Sequence, residues 1–322
     1  MQRRSFLGCL ASLATLCAIP VLPGCGPERP LAVGIHPWIG YETLHLCRDL
    51  GWLPAGVRLA EGRSAIDSLL ALGEGRVEAA CLTLDEVLRA RSEGLPLTIA
   101  LVFDVSAGAD AVLAAPSIKT LADLAGKRIG VEQNAVGSIV LKQLLAEAGL
   151  PATAVTVVDL PVDRQLEAWR QGAVDALVTY DPTANELRRQ GARLIFDSRR
   201  MPDTIFDVLA LRTDLLRDRQ TLVKALVASH FQALEHVRVN RQDAIYRIAT
   251  HQGITPDEVV RSLGGITLPS LTVNRAYLAN PGGRFAQAAR SLSALMANQG
   301  LLPREDSLER LFSAAWLPPT EV

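Results

Sequence analysis

Between residues 31 and 103 short apolar runs alternate with segments whose apolar residues recur at helical spacing. LAVGI (31–35), VRLAEG (57–62), EAACLT (78–83) and LTIALVF (97–103) read as strands. YETLHLCRDLGW (41–52), SAIDSLLALGEG (64–75) and LDEVLRARSEG (84–94) read as helices, the last ended by Gly94 and Pro96. The strands lack period-2 alternation, as expected where both faces are covered, so the pattern predicts a parallel sheet with helices on either side. The rhythm breaks at DAVLAA (110–115), a strand with no helix before it, and TLADLAG (120–126) predicts a short helix. A second series then runs from RIGVE (128–132) through helices at 137–148, 163–171 and 183–190 and strands at 155–160, 175–180 and 193–198. DVLALR (207–212) is a second isolated strand, and from Asp214 the chain reads as almost wholly helical.

Two isolated strands bracketing a second α/β series predict that the chain crosses into a second domain and returns. The expected organisation is an α/β protein of two doubly wound domains joined by two crossover strands, with a helical C-terminal part. Domain 1 takes residues 31–106 plus 208–322, and domain 2 takes 107–207. Ligands of open α/β sheets bind outside the carboxyl ends of strands, so both domains are expected to present their strand-end loops to a common cleft.

Length and composition fit this plan: 322 residues suffice for two domains, and 49% hydrophobic with 21% charged residues is ordinary globular usage. A formal net charge of -1 supplies no basic patch for nucleic acid. The N-terminus stands apart. MQRR precedes the apolar run FLGCLASLATLCAIPVL and then PGC, the form of an export signal rather than a membrane span. Arg3-Arg4-Ser5-Phe6-Leu7 resembles a twin-arginine signal, and LPGC (22–25) resembles a lipoprotein cleavage box that would leave Cys25 as the lipidated first residue. An ordinary cleaved signal with an incidental Cys25 is the plainer alternative. Residues 1–24 are read as signal and 25–30 as tether, which places the mature chain at the periplasmic or cell-envelope face, held to the membrane only through its anchor. Cys47 and Cys81 lie in apolar periodic stretches and read as buried thiols, with a disulfide left open. No Cys–His spacing suggests a metal site, and no cofactor motif is present: Gly130 and Gly137 stand seven apart, with neither GxGxxG nor GxxxxGK[ST].

Six segments in order carry a resemblance: PWIGYETLHL (37–46), LTLDEVL (82–88), DVSAGADAVLA (104–114), LADLAGKRIGVE (121–132), VDALVTYDP (174–182) and LIFDSRRMPDTIFDVLALR (194–212). Over residues 31–300 the chain resembles type II periplasmic solute-binding proteins of ABC importers, the group of nitrate-, sulfonate-, taurine- and thiamine-precursor-binding proteins. The resemblance implies a monomer that captures a small polar organic molecule of sulfonate, amine or pyrimidine type and passes it to an inner-membrane ABC permease. A sensor feeding a membrane signalling protein would use the same pocket. An enzyme on this fold is the remaining alternative, but the chain shows no GxSxG or HExxH and lacks the Cys-rich motif of the related synthases.

Strand-end loops supply the candidate contacts. Trp38 and Tyr41 offer flat apolar faces with polar handles. Ser64 and Thr83 stand at strand-to-helix junctions, where each can cap a helix or meet a ligand. Asp104 and Ser106 sit where the chain leaves the first domain. Asn134, Gly137 and Ser138 open a helix whose free N–H groups suit an anion or a carbonyl oxygen. Tyr180 and Asp181 follow a strand; the family often carries Glu-Pro where this chain has Asp181-Pro182. Asp207 sits at the return crossover. Three acids among these, and no Lys in the strand-end loops, favour a ligand with an amine, a heteroaromatic ring or several hydroxyls over a bare inorganic anion.

Overall fold

The computed structural model describes residues 29–132, 135–216 and 219–319; the signal, Cys25 and Asn134 lie outside the described residues. The first series is β1 (Leu31–Ile35), α1 (Glu42–Asp49), β2 (Val57–Glu61), α2 (Ala65–Gly73), β3 (Ala79–Thr83), α3 (Leu84–Ser92) and β4 (Leu97–Ser106). After β5 (Ala111–Ala114) come β6 (Arg128–Val131), α4 (Ala135–Ala148), β7 (Thr156–Asp159), α5 (Val162–Arg170), β8 (Ala176–Thr179), α6 (Thr183–Arg189) and β9 (Arg193–Asp197). β10 (Phe206–Arg212) leads into α7 (Gln220–Val239), α8 (Arg241–Gln252), α9 (Pro256–Leu263), the two-residue β11 (Ile266–Thr267), α10 (Leu271–Leu278) and α11 (Arg284–Asn298). The segment TLADLAG forms only a 3-10 turn, Leu121–Leu124. Among the described residues no helix is long and apolar enough to cross a membrane.

The strands form two sheets, ordered β11-β4-β10-β3-β1-β2 and β7-β6-β8-β5-β9. Setting β11 aside, the plans are the same: the series strands run parallel to one another, and one crossover strand is inserted antiparallel between the third and the fourth. β10 fills that place in the first sheet and β5 in the second. The sheets are therefore mixed, not parallel as the periodicity predicts. A fully covered strand is apolar whichever way it runs, so its sequence carries no sign of direction.

Both faces of the second sheet are used. Val112, Ile129 and Val178 point into the main core, while Leu113 and Leu177 point into a smaller cluster with Leu160, Val174 and Leu187. This is the two-residue alternation of a strand between two helical layers. Gly130 belongs to that packing, because a Cβ there would stand 2.6 Å from Leu177 and 3.0 Å from Leu160. Its glycine serves close packing rather than a phosphate.

β4 is paired with β10 along one edge but has a broken neighbour on the other. β11 pairs with Val105 and Ser106, and the chain near Phe312 pairs with Ile99. Between them, the wholly buried side chain of Asn274 accepts from the Val102 amide (2.8 Å) and donates to its carbonyl (3.1 Å). One side-chain amide thus stands in for a missing strand and pairs both backbone groups of Val102. Asn274→Leu is expected to lower unfolding free energy by roughly 2–4 kcal/mol, since both Val102 groups lose their partner. Urea denaturation would check it, and an unchanged midpoint would refute the role.

Candidate functional site

Eight loops and strand ends converge on a small cavity of about 50 Å³ between the two sheets. An apolar cavity of about 150 Å³ is what holds one benzene ring, so an organic ligand enters this site only by parting its walls. His36 and Trp38 follow β1, while Thr83 and Glu86 follow β3; Glu132, Val136 and Gly137 follow β6, and Thr179 and Tyr180 end β8. Asp110, Ile205 and Asp207 come from the starts of β5 and β10. Because those two strands run antiparallel to the series strands, their first residues lie at the carboxyl ends of those strands. The inserted strands therefore deliver acids to the end of each sheet where ligands bind.

The floor is a row across three strands. Asp207 is directly opposite Thr83 on β3 and Asp104 on β4. The Tyr41 hydroxyl donates to Asp207 at 2.5 Å, and the Trp38 indole N–H donates to Asp104 at 3.0 Å. Tyr41 is wedged edge-on between His36 and Phe103. Gly40 makes the turn fit, since a Cβ there would overlap the Asp104 carboxyl. Trp38 also meets Tyr180 edge-to-face, with centroids 5.5 Å apart. One ring comes from each sheet's loops, so this pair closes the cavity across the cleft.

Burial governs the electrostatics. It pushes Asp104 up to about 8, against the Trp38 N–H that favours the charged form. Burial, then repulsion from Asp104, drives Asp207 well above the carboxylate range. Glu86 rises to about 8 through burial and the neighbouring Asp85, although its carboxylate accepts from the Thr83 amide at 2.8 Å. Asp110 rises to about 6, chiefly by burial, and its buried Oδ2 has no hydrogen-bond partner. Glu132 is also raised, by burial and then by Asp163 and Asp159. His36 is lowered to about 4 by burial and stays neutral, with its Nδ1 unpartnered. Burial also raises Asp85 to about 6, against hydrogen bonds that include the Val136 amide across the cleft. No Lys or Arg is found among the described lining residues.

Of the residues expected from sequence, Trp38, Thr83, Gly137, Tyr180 and Asp207 line the cavity. Tyr41 and Asp104 are wholly buried behind it and act through Asp207 and Trp38 instead of touching its space. Ser64 only precedes α2, and Ala65 reaches the wall in its place. Ser106 hydrogen-bonds Ser198 at 2.7 Å beside the crossover and does not line the cavity. Asp181 accepts from the Asn185 amide and from Ser262, bracing α6 against α9 rather than facing ligand. Ser138 sits one residue past the lining. His36, Glu86, Asp110 and Glu132 were not among the expected contacts. Glu86 reads in sequence as a helix-start acid, His36 in the loop after the first strand reads equally as a structural histidine or a contact, and nothing local marks Asp110 or Glu132. Cys47 and Cys81 are both free and buried, and neither lines the cavity.

A profile of the NMT1/THI5-like family matches residues 56–244. The chain belongs to that family. Within curated proteins it is similar to the taurine-binding periplasmic protein of Escherichia coli K12, 24% identical over 72% of this chain and 74% of that one. The fold is that of type II periplasmic binding proteins. The periplasmic aliphatic sulphonate-binding protein SsuA of Escherichia coli superimposes with a TM-score of 0.72 at 19% identity, covering 92% of this chain and 94% of that one. The desulfurization enzyme DSZB shares the same fold, with a TM-score of 0.63 at 19% identity over 89% of this chain and 97% of that one. Proteins of this fold thus include both a binding protein and an enzyme, so the fold alone does not fix the function.

A buried acid whose folded pKa is raised stabilises the protein fully below its unfolded pKa, and that stability is lost as pH rises through the folded value. For Glu86 the loss runs from the ordinary carboxylate range up through about 8. The ligand-free melting temperature is therefore expected to fall between pH 5 and pH 8.5. Glu86→Gln should flatten the fall and melt higher at pH 8.5, by roughly 2–4 °C per kcal/mol relieved. Parallel pH profiles by differential scanning fluorimetry would count against buried, protonated Glu86.

Proposed function

We propose that this chain is an extracytoplasmic solute-binding protein that captures a small organic cation, an amine or a protonated heterocycle, and delivers it to an ABC permease. The observation that carries this reading is the wall acids Glu86, Asp110 and Asp207, which share the described lining with no Lys or Arg. A cation entering this space relieves carboxyl–carboxyl repulsion and pairs with groups already desolvated, whereas a sulfonate would add charge of the same sign. Trp38 and Tyr180 supply aromatic faces suited to a cationic or flat ligand. The similarity to taurine- and sulphonate-binding proteins supports solute binding; the charge of this wall argues for a different headgroup.

In this reading the lobe carrying β1–β4 and the lobe carrying β5–β9 part about the β4–β5 and β9–β10 crossovers, admit the ligand and close on it. Closure is favoured only by contacts made better in the closed state, and the Trp38–Tyr180 pair and the Asp85–Val136 approach are of that kind. The closed monomer then docks on the permease, held near it by the lipid on Cys25. Binding rather than catalysis is supported by the thiols: burial pushes Cys47 up to about 12 and Cys81 well above its ordinary value. Neither is an activated nucleophile.

Calorimetry against amines, aminopyrimidines, sulfonates and inorganic anions tests the ligand class. Binding confined to sulfonates or inorganic anions would overturn it. Because a cation binds the charged acids, affinity is expected to strengthen from pH 6 to pH 8 and binding to release protons, seen as a buffer-dependent enthalpy. Trp38→Ala is expected to weaken binding by roughly tenfold or more, as loss of a central aromatic does, while the variant remains folded. Unchanged affinity would remove Trp38 from the site.

A further inference from the structure

Next to the Trp38 loop, between α1 and the end of α8, lies a second group of polar side chains. Glu42 and His45 are three apart on α1 and so share one helix face. His251 reaches them from the last turn of α8, 206 positions beyond His45 in sequence. One ligand atom from each of the three lies within 4.8 Å of the others. The two imidazoles are nearly stacked, with centroids 3.9 Å apart and planes at 31°. His251 Nδ1 is 3.0 Å from both Glu42 oxygens, and Gln252 donates to the same carboxylate at 2.9 Å. His45 is 4% exposed, and its buried Nδ1 has no hydrogen-bond partner. Glu61, at the end of β2, stands 3.9 Å from that nitrogen and is held by Arg48. These groups border a cavity of about 290 Å³ that also touches His36 and Pro182.

We infer that Glu42, His45 and His251 form a binding site for a divalent first-row transition-metal ion such as Zn²⁺. Two imidazoles and a carboxylate are a donor set that suits Zn²⁺, with bonds of about 2.0–2.2 Å that place neighbouring donors roughly 3.3–3.5 Å apart on a tetrahedron. The present separations, within 4.8 Å, are close to that range. Water or Glu61 takes the fourth position. Gln252, hydrogen-bonded to Glu42, orients the carboxylate as outer partners of metal ligands do. An ion here would tie α1, and with it the Trp38 loop, to α8. A plain His251–Glu42 ion pair leaves the buried His45 nitrogen unexplained, whereas a metal ion gives it a partner.

The test is titration of the tag-free full chain, stripped with a chelator, with ZnCl₂ by calorimetry and with CoCl₂ by visible absorption. One saturable equivalent of Zn²⁺ is expected, with a Co²⁺ spectrum of four-coordinate intensity. His45→Ala and His251→Ala should each weaken Zn²⁺ by roughly tenfold or more; His251 is partly exposed, so its variant should keep the fold, checked by circular dichroism. Asp110→Asn, in the ligand cleft, should leave Zn²⁺ affinity unchanged. The inference is overturned if no saturable binding occurs, if binding survives both histidine variants, or if it is lost in Asp110→Asn.

Discussion

The pairing of β10 between β3 and β4 is the constraint on which the rest of the site depends. It sets Asp207 directly between Thr83 and Asp104 and turns the start of a returning strand toward the ligand-binding end of the sheet. Like charges directly opposed across strands are destabilising, and here they are also wholly desolvated. The pair persists because burial keeps protons on it and because Tyr41 and Trp38 each donate a hydrogen bond to it. The aromatic loop after β1 is therefore fastened by the same acids that give the cavity its character.

The second sheet repeats the device. β5 is inserted at the equivalent place and carries Asp110 to the equivalent end. Each lobe thus contributes an acid from its antiparallel strand, and the chain's two passages between lobes flank the cleft. In the proposed reading, a site built this way would couple charge to closure. The acids tolerate confinement while protonated, and a cationic guest would let them ionise without leaving the protein interior. The same scaffold in a sulphonate-binding relative can serve an anion, since wall residues rather than topology set the sign of the site.

Fold position also explains why α1 faces two ways. Its first turn follows the Trp38–Tyr41 turn and is locked to the cavity floor through Tyr41, while the Glu42–His45 face packs toward α8. The helical C-terminal part is thus structural support for the first lobe. Asn274 completes the edge of β4 and so steadies Asp104, and α8 backs the helix that carries the aromatic loop.

The succession of strands and helices, the restart of the series at residue 128 and the two isolated crossover strands were all legible in the sequence, because burial on both faces writes apolar runs and helical spacing directly into the chain. Trp38, Thr83, Gly137, Tyr180 and Asp207 were legible as strand-end residues for the same reason. The direction of β5 and β10 was not, since an apolar run has no polarity. Nor was it legible that Tyr41 and Asp104 stand one layer behind the cavity while Glu86, Asp110 and Glu132 reach it. Asp181 looked like a ligand contact because it follows a strand, and only the approach of Ser262 from 81 positions away gave it another partner. Local pattern determined which elements form. Which acids stand opposite one another, and which histidines meet, was decided by contacts between residues far apart in the chain, set by packing rather than by any local preference.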